Sequence, residues 1–410
     1  MSVNMGLAQL SDHFLLTTVV LYALGMLAFA GDFAYGRSTR QRPVTQGKTA
    51  DAVAVAGSAP VTDPARVAVP AGVTASAGNV SPASPAAAPP ASPPAPPSPP
   101  SRSAGGAGTG AVGAVAASRW RAGGAPAGPW VRAALVLTVL GLATHILGVL
   151  TRGLSEHRVP WGNMYEFVTA ITCAAVIAFL LMCLRFRIYS VGLFFLAPIV
   201  LALGLCATVL FTAAGPLVPA LHSYWIWIHV TAMTLAIGGF IVAAVLNVLY
   251  LLADRHVRRS ATATSGRVTS GAAAAGTAAA GTAAAGTAAA GTATESGFGA
   301  ILRRLPGVDA LDRLSYRTVI FAFPIWTFGI IAGAIWADEA WGRYWGWDPK
   351  ETWAFISWVV YAGYLHARAT AGWRGRKAAY IQLIGFVTLV FNLVGVNLWV
   401  TGLHSYAGIN

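Results

Sequence analysis

Eight times along this chain about 20 residues pass with almost no charge, and that repetition limits the fold more than any other feature. The runs cover about 14–33, 130–151, 161–184, 191–211, 225–252, 318–336, 352–370 and 380–400. As a helix rising about 1.5 Å per residue, each is long enough to cross about 30 Å of hydrocarbon. Only 10% of residues are charged and 56% are hydrophobic, whereas about 25% charged is usual in soluble domains. The chain therefore reads as an all-α polytopic integral membrane protein of about eight transmembrane helices.

The segments between the runs differ in kind. Residues 1–36 hold the first span. Residues 37–129 turn to Ala, Pro, Ser and Gly, with a PPASPPAPPSPP stretch that favours extended polyproline II and builds no core, so a disordered cytoplasmic linker is expected there. Residues 130–253 hold spans two to five. Residues 254–317 form an expected cytoplasmic loop whose middle, Gly276 to Thr292, repeats GTAAA as a flexible insertion. Residues 318–410 hold spans six to eight.

The net charge of +13 comes mainly from short arginine clusters beside the apolar runs, at Arg185 and Arg187, from Arg255 to Arg317, and from Arg374 to Lys377. So placed they orient spans and give no nucleic-acid surface. No Lys or Arg precedes the first run, while Arg37, Arg40, Arg42 and Lys48 follow it, a pattern that fits a retained span better than a cleaved signal. With every arginine-rich loop inside, both termini lie outside. The three cysteines, Cys173, Cys183 and Cys206, lie in apolar runs with no CxxC spacing and read as packing residues.

Between the sixth and seventh runs, on the outer side in this topology, stands WGRYWGWDPKETWAFISW, residues 341–358. An interfacial belt accounts for one or two Trp. Five of them, with Tyr344 and with Gly342 and Gly346 set between, suit a platform for a large planar ligand, and haem is the obvious candidate. Topology also sorts the eight histidines. His229 near the start of the fifth run and His404 just past the eighth reach the depth of the Trp segment from separate spans. Neutral imidazoles make good haem-iron ligands, although either could be a polar residue at a helix end. His366 lies about 22 Å further along the seventh run than Glu351. An ionisable group there is a functional position by default, or it snorkels beside Arg368. His145 reads as packing or as an inner ligand, His222 as a fallback for His229, His157 as a loop residue, and His13 and His256 as boundary residues.

The pattern WGxxWxWDxKExW, with WGNMYEF at 161–167 and the words around His229 and His404, resembles the WWD signature of the haem-handling proteins of cytochrome c maturation, in the CcsA/ResC branch of system II. The resemblance covers about Trp130 to the C-terminus without the GTAAA tract. It implies a plasma-membrane protein that exports haem b and presents it at the outer face for thioether attachment to the CxxCH motif of apocytochrome c. It also implies a role within a holocytochrome c synthase complex, beside a ResB/CcsB-like membrane partner, with a thioredoxin-like thiol reductant as a possible further partner. It makes His229 and His404 axial ligands of the outer haem and His366 a ligand inside the membrane, opposite one from the partner. Trp341, Gly342, Tyr344, Trp345, Trp347, Asp348, Lys350, Glu351 and Trp353 become haem-contact residues. Arg152, Arg343 and Lys350 are candidate partners for the propionates. An electron-transfer haem b subunit and a small-molecule transporter are the competing readings.

Overall fold

The computed structural model describes residues 3–36, 127–215, 223–275 and 297–404. All regular structure among them is helical. In chain order the helices are α1 (Met5–Tyr35), α2 (Pro129–Glu156), α3 (Met164–Phe186), α4 (Gly192–Thr208), α5 (Tyr224–Ala275), α6 (Gly297–Arg304), α7 (Val308–Trp341), α8 (Pro349–Ala369), α9 (Arg376–Val390) and α10 (Val396–Trp399). A 3₁₀ turn, Tyr189–Val191, leads into α4, and one π-helical turn, Phe391–Gly395, joins α9 to α10. Most of the Ala/Pro-rich segment, the GTAAA repeat, His222 and the residues after His404 lie outside the described residues.

Seven stretches are long and apolar enough to cross a membrane, and the chain is a multi-pass membrane protein. The expected eighth differs. It forms α8, 21 residues and about 31 Å long, but its composition is too polar to qualify. The reason lies on its inward face, where Ser357, Tyr361 and Tyr364 are buried against protein and Arg368 is clamped in a salt bridge. The segment 254–317, expected as a loop, is helical at both ends: α5 continues to Ala275, and α7 starts at Val308.

Helix pairs α1–α2 and α5–α7 make the most extensive contacts, α3 and α4 link them, and α9 lies against both α5 and α8. Lipid tails are as apolar as Leu, so packing here depends on close backbone approach and buried polar contacts. Gly238 on α5 provides one such approach: a Cβ there would stand 2.8 Å from the backbone nitrogen of Ala175 on α3. Two aromatic stacks fill the core, Phe179 on Phe195 at 4.4 Å and Phe240 on Tyr361 at 4.0 Å. The three cysteines are free and buried, in keeping with packing.

The start of α5, the end of α7, the start of α8 and the stretch after α10 gather at one end of the bundle, here the aromatic end. Arginines collect at the opposite end, where Arg304 donates to the carbonyls of Asp32 and Gly36. There too Arg368 on α8 makes a two-point bond to Asp312 on α7, at 2.8 Å each, under the rings of Tyr316 and Tyr364.

Removing one member of a buried pair leaves the other uncompensated, at a cost of about 3–5 kcal/mol. Asp312→Ala should therefore lower the thermal unfolding midpoint in detergent sharply, and the double change Asp312→Leu with Arg368→Met should recover much of the loss.

Candidate functional site

Where these helix ends meet, their side chains line an open pocket. α5 contributes His229, Val230 and Met233 and α7 contributes Ile330, Gly333 and Trp336. The Trp-rich turn and α8 add Tyr344, Trp345, Lys350 and Glu351, α9 and the chain beyond it add Asn392, Asn397 and His404, and α3 closes one side with Asn163, Met164 and Phe167. The two histidines singled out from separate spans are thus in one pocket.

Both imidazoles are held by Nδ1. His229 Nδ1 lies 2.7 Å from the carbonyl oxygen of Gly329, which can only accept, so that nitrogen carries the proton and Nε2 keeps its lone pair. Gly333, one turn further along α7, gives the ring its space: a Cβ there would stand 2.6 Å from His229 Nδ1. His404 Nδ1 lies 2.8 Å from Asp348 Oδ2, with the same consequence for its Nε2. A carbonyl or carboxylate behind the far nitrogen is what fixes metal-ligating histidines.

Trp336 touches both rings. It stacks on His229 with centroids 6.1 Å apart and planes 13° apart, and meets His404 edge-on at 5.6 Å. Trp341 backs His404 at 4.9 Å. Trp336 was not among the residues singled out from sequence, because it ends an apolar run; the repeat of Trp-Ala-Asp-Glu-Ala-Trp just before the signature was the signal available.

The turn that aims His404 is encoded by WDPKE. Asp348 is the N-cap of α8, Pro349 occupies its first position, and Glu351 completes a capping box by accepting from the Asp348 N–H at 3.1 Å, and also from the Gly346 N–H at 2.8 Å. Asp348 accepts from Lys350 N at 3.3 Å and, with its other oxygen, from Leu403 N at 2.8 Å, which draws the chain after α10 back to the signature. Burial alone would raise the Asp348 carboxyl. The His404 ring and the backbone N–H groups of Leu403 and Lys350 outweigh it and hold the group below the usual carboxylate range.

The signature does not form one flat surface. Trp345 faces the pocket, whereas Trp347, in a left-handed conformation with φ 58°, is 66% exposed, as is Tyr344 at 61%. Trp353 packs on Phe391 at 4.3 Å, and Trp358 donates to Thr327 Oγ1 at 2.9 Å. The glycines have local reasons: Gly342, at φ 70°, is the left-handed C-cap of α7, and the Arg343 guanidinium lies where a side chain on Gly346 would be.

The candidate cations separate. Lys350 lines the pocket and donates to Asn397 Oδ1 at 2.5 Å. Arg152 lies outside the pocket lining, at 3.2 Å from both Glu156 and Glu166. In WGNMYEF, Trp161, Asn163 and Phe167 line the pocket, whereas Glu166 turns away to bind Arg152 and Arg158. His366 is remote from this pocket, on the exposed face of α8 near its far end. His145 is buried against Tyr22, His157 is the left-handed C-cap of α2, and His13 bonds the Gln9 carbonyl. His256 sits beneath Gly299 of α6.

Comparison with known proteins agrees with this geometry. The family described as Cytochrome C assembly protein matches residues 161–404, from the first pocket-lining Trp to His404. The cytochrome c biogenesis protein CcsA of Gloeobacter violaceus is 37% identical over 303 residues, covering 69% of this chain and 87% of its own length. That of Guillardia theta is 35% identical over 277 residues, covering 67% and 85%, and that of Chlamydomonas reinhardtii is 34% identical over 271 residues, covering 65% of each chain.

A carboxyl held low in the folded state contributes stability that is complete above its unfolded value, about 4, and is lost as pH falls through the folded value. Asn caps helices as well as Asp does. The thermal midpoint of the wild type should therefore exceed that of Asp348→Asn at neutral pH, with the gap closing as pH falls below the ordinary carboxylate range.

Proposed function

The chain belongs to the cytochrome c assembly protein family, and from that premise we propose that it carries haem b across the plasma membrane and presents it to apocytochrome c in the aromatic-end pocket. The observation that carries this reading is the pair of imidazoles, His229 and His404, each held by Nδ1 so that Nε2 is left to bind iron, on the walls of one pocket.

The residues present fit a haem. Phe167, Val230 and Ile330 give apolar walls, and Trp336 and Trp345 offer aromatic faces for a planar macrocycle. Lys350 brings a cation into those apolar surroundings without a carboxylate within salt-bridge distance among the described residues, which favours it over Arg152 as the partner of a propionate. Haem supplies the vinyl groups to which the two thiols of a CxxCH motif add. His229 and His404 hold the iron until the histidine of that motif replaces one of them. Asp348 keeps the His404 tautomer, and the apolar walls exclude water. No residue of this chain is needed as a nucleophile; holding two reactants in one geometry supplies the gain, at best about 7–11 kcal/mol.

The arginine-rich end belongs inside the cell, which puts the pocket outside. His366, exposed on α8 toward that end, then serves a haem site within the membrane, completed by a ligand from a ResB/CcsB-like partner. A thioredoxin-like protein is the plausible source of reduced thiols.

The test is the absorption spectrum of the protein purified with its partner. Wild type should carry haem with a low-spin bis-imidazole spectrum. His229→Ala and His404→Ala should each weaken or alter it and abolish maturation of a c-type cytochrome in cells, and His366→Ala should lower the haem content. Haem-free wild type from haem-replete cells, with maturation unaffected by all three changes, would refute the reading. Asp348→Asn, which keeps the cap but weakens the support of His404, should cost about 10- to 100-fold in haem retention.

A further inference from the structure

A second, small cavity, with room for about one water, lies between α1, α2 and α3, on the side of α3 that faces away from the haem pocket. Its walls include Ser11, His145, Arg152, Tyr165, Glu166 and Thr169. His145 is 1% exposed, about 17 Å along α2 from Glu156 and so deep within a membrane span. Its Nδ1 meets the Tyr22 hydroxyl at 3.3 Å, while Nε2 has no hydrogen-bond partner among the described residues. Buried polar atoms are rarely left so, and an ionisable ring at this depth is costly enough to need a reason.

The surroundings suit a cation. From α1, Asp12 accepts from the Tyr165 hydroxyl and Tyr22 faces the ring. α2 supplies Arg152 and Glu156, the connection to α3 supplies Arg158, and α3 supplies Tyr165, Glu166 and Cys173, with Cys206 of α4 behind Tyr165. Two guanidinium groups thus face three carboxyl groups. Glu166 is saturated by Arg152, Arg158, the Gly162 N–H and Asn163, which makes it a poor proton acceptor. Among the side chains that line the cavity, the imidazole is the one left to take a proton.

We propose that this cavity is a buried proton-binding site, in which water held between the Arg152–Glu166 end and His145 Nε2 delivers a proton to the ring. A space of this kind needs a few polar partners to hold a water, and Ser11, Thr169, Arg152 and Glu166 provide them. The proton comes from bulk water at the aromatic end and ends on Nε2 as an imidazolium. Asn163, which lines the haem pocket, donates to Glu166 at 3.1 Å, so one hydrogen bond joins the walls of the two cavities. The site stands apart from the haem reading and can be tested without haem.

The experiment is nitrogen NMR of the full-length protein in lipid bilayers with ring-labelled histidine. His145–Ile146 is the sole His–Ile pair in the sequence, so labelling the His carbonyl and the Ile nitrogen assigns the residue without a substitution. The His145 ring should pass from its neutral to its imidazolium pattern as the medium is acidified, with Nε2 in exchange with water. Leu15→Phe, which grows into the cavity, should keep the ring neutral over the same range. A wild-type ring that stays neutral wherever the protein remains folded, or an unchanged titration in a folded Leu15→Phe, overturns the proposal. If that variant does not fold, the wild-type titration decides alone.

Discussion

The candidate site depends on one carboxylate. Asp348 caps α8, accepts the Leu403 N–H, and holds His404 by Nδ1, so a single side chain joins the start of one helix to the chain leaving another. Without it the chain after α10 would lose these polar ties to the helix start, and apolar contact is only weakly directional. The capping box supplies the direction: Pro349 fixes the entry, Glu351 ties back to two backbone N–H groups, and the carboxylate is left pointing at the imidazole. The acidic residues of the signature are therefore explained first by helix geometry, and only through His404 by a ligand.

His229 is oriented differently. Its support is the carbonyl of Gly329 on α7, available because Gly333 one turn on leaves room for the ring against the helix. The two histidines thus reach the same pocket with the same tautomer by unrelated means, a charged acceptor for one and a neutral one for the other. Trp336, 2% exposed, contacts both rings and so couples their positions.

Much of the bundle is legible from apolar run length, since a span of about 20 residues has few alternatives in lipid. The helix that departs from that rule, α8, does so because Tyr361, Tyr364 and Arg368 face protein, and run length cannot tell a lipid-facing residue from one paired across a helix contact. The gathering of His229 and His404 is legible because orientation alone brings those helix ends together. The roles within the Trp-rich segment are not, for they depend on backbone signs: a left-handed Gly342 and Trp347 turn successive rings to different sides, and composition carries no record of that. Arg152 shows the same limit, since a basic residue near a pocket looks available until its carboxylates are seen.

α3 gives the clearest case of one short sequence dividing between two environments. In WGNMYEF, Asn163, Met164 and Phe167 face the larger pocket, and Tyr165, Glu166 and, one turn on, Thr169 face the smaller. Asn163 spans the division: its oxygen caps the helix by accepting from Glu166 N at 2.9 Å, and its amide nitrogen donates to the Glu166 carboxylate. A helix start exposes N–H groups that need acceptors, and a carboxylate beside that end is favoured by the dipole. The same cap that starts α3 therefore also anchors Glu166, and Glu166 in turn fixes Arg152 and Arg158, so the wall between the two cavities is rigid because its polar groups are spent on one another.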